Sequence, residues 1–289
     1  MPDAKPRHSR FRRWVVRPVV YLAVIMIFFR WFEHANVYHP NKVLDGSPAD
    51  VGLPFEDVAL TSSDSVKVHG WFIPAPTNSP RAGFVVLVSH GNAGNISHRT
   101  ALAGLLRRHG VSVLLYDYRG YGRSEGRPSE DGTYRDALAF YGWLKQRGFA
   151  PAKILSYGES LGGGIASELA RREKVGGLIL QSAFTSIPDV GAELFWFLPV
   201  RLISTIRYAT RERLPQIHVP VLVVHSQQDE IVKFGHAEKN FAAANEPKLF
   251  VTVSGSHNSV PFENEELFHD GMEKLLKLAG APPVSAGHE

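Results

Sequence analysis

The sequence predicts an α/β fold: a mostly parallel eight-stranded sheet with helices on both faces and a short cap after the sixth strand. Three observations carry this. Short β-rich runs alternate with helical patterns from Phe55 to Leu278, the rhythm of a sheet wound by crossover helices. Several of those runs, such as Gly83–Ser89 (GFVVLVS), are continuously apolar, as strands buried on both faces must be. No linker interrupts the alternation, and 44% hydrophobic against 21% charged residues is enough for one large core.

The first element stands apart. Residues 1–36 open with Lys5, Arg7, Arg10, Arg12, Arg13 and Arg17 against a single acid, Asp3. The remainder is near neutral, so the net charge of +4 is local, and with no basic patch carrying interleaved aromatics, nucleic acid is not an expected partner. An uncharged run follows from Pro18 to Phe29, and the stretch from Trp14 to Phe32 encloses only Arg17 and Arg30, both near its ends. That is close to the roughly 20 residues of a membrane span, with long basic side chains where they can snorkel. A retained signal anchor is the leading reading. A cleaved signal peptide is second, since no small-x-small site follows the run. A helix packed on the globular domain is third. Arginines ahead of the span put the domain on the non-cytoplasmic side, periplasmic in a bacterium. Residues 33–54 read as a polar connector.

The globular domain is expected over residues 37–279. Phe55–Leu60 and Val66–Ile73, separated by Thr-Ser-Ser-Asp-Ser, read as an antiparallel hairpin. Strands follow at Gly83–Ser89, Ser112–Tyr116, Lys153–Tyr157, Gly177–Gln181, Val221–His225 and Lys248–Val253. Between them lie helical patterns: one around Leu102–Leu106, then Asp131–Arg147, Leu161–Arg172, Gly235–Ala244 and Glu263–Leu278. One crossover, Ser182–Leu214, is long and carries Phe195-Trp196-Phe197-Leu198. It reads as a cap whose four apolar residues line a pocket, or else as a packed crossover. Residues 280–289 are small and proline-rich, and read as a disordered tail.

Chemistry is carried by a few strings. Gly158-Glu159-Ser160-Leu161-Gly162 has the G-x-S-x-G spacing that places a serine on a sharp strand-to-helix turn. Gly122-Arg123-Ser124-Glu125-Gly126 matches too, but Arg127-Pro128 follows it and cannot readily continue a helix. Ser160 is therefore the candidate nucleophile and Ser124 a turn residue. A nucleophile of this kind takes its partners in the chain order Ser, acid, His. Asp229, directly after VLVVHSQQ, is the candidate acid, with Asp189 the lesser alternative and Glu230 turned elsewhere. His257, in the loop after the last strand, is the candidate base. His225 reads as a core or supporting residue, and His218, His236 and His269 as surface. The turn Ser89-His90-Gly91-Asn92-Ala93-Gly94-Asn95 should supply one oxyanion donor, the Asn92 amide, with the Leu161 amide as the second. His90 is expected to brace that turn.

The ordered set HGNAGN (90–95), YDYRGYGRSEG (116–126), SYGESLGGG (156–164), Asp229 and SHN (256–258) resembles the α/β-hydrolase superfamily, most of all its small N-terminally membrane-anchored branch. The resemblance covers residues 37–279. It departs at His225-Ser226, where relatives commonly carry His-Gly. It implies the α/β-hydrolase fold and acyl transfer to water.

The expected function is a serine hydrolase that cleaves ester-type bonds, thioester or lipid acyl bonds included, through an acyl-enzyme. The expected partners are a small-molecule or lipid acyl ester and the membrane holding the N-terminal helix. A membrane-tethered acyltransferase or a non-catalytic binding module on this fold is the alternative. No metal or cofactor is expected: there is no H-E-x-x-H, no calcium loop and no G-x-G-x-x-G after a strand. Cysteine is absent, which removes disulfides and cysteine nucleophiles. Because every chemistry-bearing residue lies beyond Phe55, the N-terminal segment is expected only to tether.

Overall fold

The computed structural model describes residues 8–282. Lys5 and Arg7 of the basic cluster, and residues 283–289 of the expected tail, lie outside them. Eight strands form one sheet: β1 (Glu56–Thr61), β2 (Lys67–Ile73), β3 (Val85–Ser89), β4 (Ser112–Tyr116), β5 (Ile154–Glu159), β6 (Gly177–Gln181), β7 (Val221–Ser226) and β8 (Lys248–Val253). Their order is β8-β7-β6-β5-β3-β4-β2-β1. The β1–β2 and β2–β4 pairs are antiparallel, and all others are parallel. The predicted hairpin and parallel run are both present, with strand ends shifted by a residue or two.

Strand residues alternate between two apolar layers. Val85 and Leu87 face one layer, while Val86 and Val88 face the other. The first layer is filled from α3 (Glu130–Gln146), α4 (Leu161–Arg172) and α8 (Gly235–Ala243), through residues such as Phe140, Ile165 and Ala237. The second is filled from α2 (Thr100–Arg107) and α9 (Glu265–Leu278), through Leu105, Leu106, Phe268 and Leu275. Burial of β3–β7 on both faces explains their unbroken apolar runs. The Ala281 amide bonds back to Leu276, and Arg81 Nε donates to the Pro282 carbonyl at 2.5 Å, so the first residues after α9 are tied to the domain.

The N-terminal helix α1 spans His8–Val37, five residues beyond the apolar stretch read from the sequence. What was read as the start of a connector is helical because it packs. His34 Nε2 donates to the Pro128 carbonyl at 3.0 Å, and Val37 and Tyr38 are buried. The chain then pairs His39–Pro40 with Ala93–Gly94 as a short parallel bridge.

Between β6 and β7 the crossover forms α5 (Ile187–Leu194), α6 (Val200–Ile203) and α7 (Thr210–Arg213). Ser186 caps α5 by accepting from the Asp189 amide. This cap does not stand free of α1. Glu33, near the end of that helix, accepts from the Thr205 amide (3.0 and 3.1 Å), the Thr205 hydroxyl (2.7 Å), the Ile206 amide (3.1 Å) and the Ser204 hydroxyl. Phe32 meets Phe195 edge to face with centroids 5.3 Å apart. The N-terminal helix therefore builds the domain as well as leading into it, which corrects the expectation of a mere tether.

Glu33→Ala should strip one of the cap's polar ties, at about 0.5–1.5 kcal/mol for the part-buried Ile206 amide and less for the exposed Thr205 groups, which water can satisfy. Limited proteolysis is expected to cut faster within Ser182–Leu214, with the melting of the sheet domain little changed.

Candidate active site

Ser160 sits between β5 and α4 with φ 52° and ψ −113°, a backbone state L-residues rarely hold. Its amide donates to the Gln181 carbonyl at 2.9 Å, which pins the turn to β6. Two glycines make the turn feasible. A Cβ on Gly158 would lie 2.4 Å from the Gly162 carbonyl oxygen, and one on Gly162 would lie 1.9 Å from the Ser89 carbonyl oxygen. Strand and helix can approach only without those side chains, and the Ser160 hydroxyl is left at the sheet's C-terminal edge.

Two further loops reach that edge. Asp229 follows β7 and His257 follows β8. The Ser160 hydroxyl donates to His257 Nε2 at 3.0 Å, and His257 Nδ1 donates to Asp229 Oδ2 at 2.7 Å. The other carboxylate oxygen, Oδ1, accepts from the Ile231 and Val232 amides at 3.0 and 2.7 Å. His225 Nε2 lies 3.3 Å from Asp229 Oδ2 and donates to the Val232 carbonyl at 2.8 Å, which makes it a support for the acid. Burial alone would raise the Asp229 pKa, but His225, His257 and the Val232 amide together hold the carboxyl well below its usual range. Glu230, expected to point elsewhere, reaches the backbone of the histidine: it accepts from the His257 amide at 3.0 Å. Imidazole between a carboxylate and a hydroxyl is an arrangement able to take the hydroxyl proton as that oxygen attacks.

The turn after β3 closes the site from the other side. His90 Nδ1 donates to the Gly91 carbonyl at 2.7 Å. That carbonyl shares a peptide with the Asn92 amide, so the histidine sets the direction of this N–H. The Asn92 carbonyl is held by the Tyr121 hydroxyl (2.8 Å) and the His39 amide (3.0 Å). Among the described residues, neither the Asn92 nor the Leu161 amide donates to another group. Arg99 bridges the turn to the nucleophile's strand: Nε and Nη2 pair with the Glu159 carboxylate at 3.1 and 3.0 Å, and Nη1 donates to the Ala93 carbonyl. Burial would raise the Glu159 pKa, but the guanidinium outweighs it and keeps the carboxylate charged.

The remaining candidates fall elsewhere. Ser124 is buried, accepts from the His69 amide and donates to the Asp117 carbonyl, the turn role its context indicated. Asp189 is occupied by Thr185 and Arg201. His236, read as surface, is buried with Nδ1 against the Thr185 hydroxyl at 2.8 Å. His109, His269 and Glu273 lie together, but Arg81 already pairs with both Glu273 oxygens at 2.7 and 2.8 Å, leaving little for a cation.

A cavity of about 330 Å³ rises over Ser160. Its floor is Asn92, Ser160, Leu161 and His257, and its walls are cap residues such as Ile187, Phe195 and Leu198 with Phe29, Phe32 and Val37 of α1. Of the four cap residues expected to line a pocket, Phe195 and Leu198 do so, whereas Trp196 and Phe197 face outward. The segment's break at Pro199 and the pairing of Phe195 with Phe32 divide the four between two faces.

This combination of sheet order, strained serine and histidine-bearing last loop defines a class, and comparison agrees. The chain belongs to the α/β-hydrolase family. It is 33% identical over 263 residues to the alpha/beta hydrolase domain-containing protein WAV2 of Arabidopsis thaliana, covering 82% of this chain and 85% of that one. It is 38% identical over 265 residues to the uncharacterized protein Rv2307c of Mycobacterium tuberculosis, covering 91% and 94%. It is 37% identical over 184 residues to the lysophosphatidylserine lipase ABHD12 of Danio rerio, covering 57% of this chain and 48% of that one. The serine aminopeptidase S33 profile matches residues 79–208. Among solved structures, the Pyrococcus furiosus esterase Pf2001 superposes with a TM-score of 0.69 at 20% identity, over 83% of this chain and 97% of that one.

Asp229→Asn should destabilise the protein in a pH-dependent way. The carboxyl pKa is depressed in the folded state, so its contribution is complete above the ordinary carboxylate range and is lost as pH falls through the folded value. Urea midpoints of wild type and variant should differ most at about pH 7 and begin to draw together only as pH falls below about 4, the ordinary carboxylate range.

Proposed function

We propose that this chain is a serine hydrolase that cleaves ester bonds of apolar acyl substrates. The observation that carries the reading is the hydrogen-bonded run Asp229–His257–Ser160, whose last two members lie on the floor of a cavity walled by apolar side chains. His257 takes the Ser160 proton as the serine oxygen attacks the carbonyl carbon. Asp229 holds the ring in the required tautomer and balances the imidazolium. The oxyanion is received by the amides of Asn92 and Leu161. His257 then protonates the leaving alkoxide, the alcohol departs, and water, deprotonated by the same ring, releases the acid. An acceptor alcohol in place of that water would make the enzyme an acyltransferase.

The S33 match favours a second reading, cleavage of a peptide after a free N-terminal residue. Such a substrate brings an ammonium group, which needs a free carboxylate in the cavity. The two acids lining it are engaged: Glu159 with Arg99, and Glu33 with the cap amides and hydroxyls. An ester of a long apolar acid asks for no such partner, and each buried CH₂ adds about 0.8 kcal/mol. The lipase and esterase named among the relatives and structures are consistent with this choice.

Helix α1 is read as a retained anchor. Trp14–Val37 is long and apolar enough to cross a membrane, and none of its most apolar window is buried in the protein. A signal sequence meets the same description, so the size of the mature chain decides between them. The arginines before it favour a domain on the non-cytoplasmic side.

A fluorophosphonate probe should label Ser160, and Ser160→Ala should abolish both labelling and ester turnover, with losses of about 10⁴–10⁶ in kcat. Ser124→Ala should keep both. Turnover of p-nitrophenyl esters should rise with acyl length. A preference for aminoacyl-amides over esters would instead favour the peptidase reading.

A further inference from the structure

We propose that the cap and the end of α1 form one membrane-docking surface, seated in the leaflet in which α1 is embedded, so that the Ser160 cavity is loaded sideways from lipid. This rests on the reading of α1 as an anchor and deepens the ester hydrolase reading by naming where its substrate comes from.

Depth is the first argument. A span needs about 20 residues, and counted from Trp14, the start of the apolar stretch, it ends at Glu33. Phe29 and Phe32 then lie within the leaflet, and both line the cavity over Ser160. Phe195 of the cap rests on Phe32 at 5.3 Å. The cap therefore meets α1 at lipid depth.

Composition is the second argument. The outward face of the cap is largely apolar where a water-facing surface would be polar: Trp196 is 81% exposed, Phe197 65% and Leu202 87%, and the charged Arg201 beside them is paired with Asp189. The two aromatics stand edge to face at 5.9 Å, and tryptophan is a residue type that favours the headgroup boundary. Elsewhere on the globular domain, exposed large apolar residues stand singly or in pairs, such as Val51 with Phe55 and Phe262 with Leu267, and among the described residues none there is more than 65% exposed. An exposed cluster of this kind marks an interaction site, and the adjoining apolar helix identifies its occupant as a bilayer. Glu33, with both oxygens held by the cap, brings no free carboxylate to that surface.

The chain has no cysteine, so full-length Leu202→Cys and Leu278→Cys each accept a single environment-sensitive NBD label. Leu278 is 45% exposed at the end of α9, near the Pro282 carbonyl that Arg81 holds at the start of β3, the end of that strand remote from Ser160. Both proteins are reconstituted in phosphatidylcholine–phosphatidylglycerol vesicles with and without nitroxide-labelled phosphatidylcholine. The label at 202 should be quenched several-fold and the label at 278 should not. A label at 202 as water-exposed as that at 278, or a chain that fails to float with the vesicles, would overturn the proposal. The variant W196S/F197S/L202S should lose about tenfold on a long-chain ester dissolved in the vesicles and keep turnover of p-nitrophenyl acetate, tenfold corresponding to about 1.4 kcal/mol. Equal loss on both substrates would also overturn it. If wild type shows neither turnover nor fluorophosphonate labelling, the hydrolase reading fails, and the quenching result still decides the docking.

Discussion

A β-carbon on Gly162 would stand 1.9 Å from the Ser89 carbonyl oxygen, and the site depends on that exclusion. With no side chain there, the start of α4 can press against the end of β3. With none at Gly158, β5 can turn into α4 with a single strained residue, Ser160, between them. Strain of this kind costs about 1–3 kcal/mol and persists only where the surroundings over-determine it. Here the Gln181 carbonyl holds the Ser160 amide from β6, and Arg99 ties Glu159 to the facing turn. The same close approach brings the Leu161 and Asn92 amides to one edge. The hydroxyl and both amides are thus presented together by one feature of the packing.

A second hub fastens the cap to the domain. The Tyr208 hydroxyl lies 2.9 Å from both the Tyr38 hydroxyl and the Thr133 hydroxyl, which joins the cap to the residue after α1 and to α3. Glu130 of α3 accepts from the Arg207 and Tyr208 amides at 2.7 and 2.8 Å. The cap is therefore fastened along residues 204–208, by Glu33 and then by Glu130, with apolar residues left for the cavity. Its shape is set by what it is tied to rather than by its own short helices.

Much of this was legible in the sequence because it is local. Ser160 is announced by glycines two positions either side, and Asp229 and His257 by their places just after apolar strands. Ser124 could be set aside for a local reason too, the proline that follows it. What escaped is what depends on distant partners. Nothing near Glu33 marks it as the acceptor for residues more than 170 positions away, and Arg99 and Glu159 are separated by 60. His236 opens a helix in polar company, yet Thr185 and its surroundings bury it. Phe195 to Leu198 read as one apolar block, but only the fold could say which two face inward. The end of α1 was misplaced because its last turns are helical by virtue of packing on the domain.

The tie between Glu33 and residues 204–206 also sets an order of events in the making of the protein. The helix leaves the ribosome before the cap, which follows about 170 residues later. Until then Phe29, Phe32 and Val37 form one wall of a chamber whose opposite wall has not been synthesised. The loops bearing Asp229 and His257 come later still. The chamber and its chemistry are completed only after β8 and the loop that follows it have been made, so a chain still being synthesised up to that point carries the helix without an assembled site.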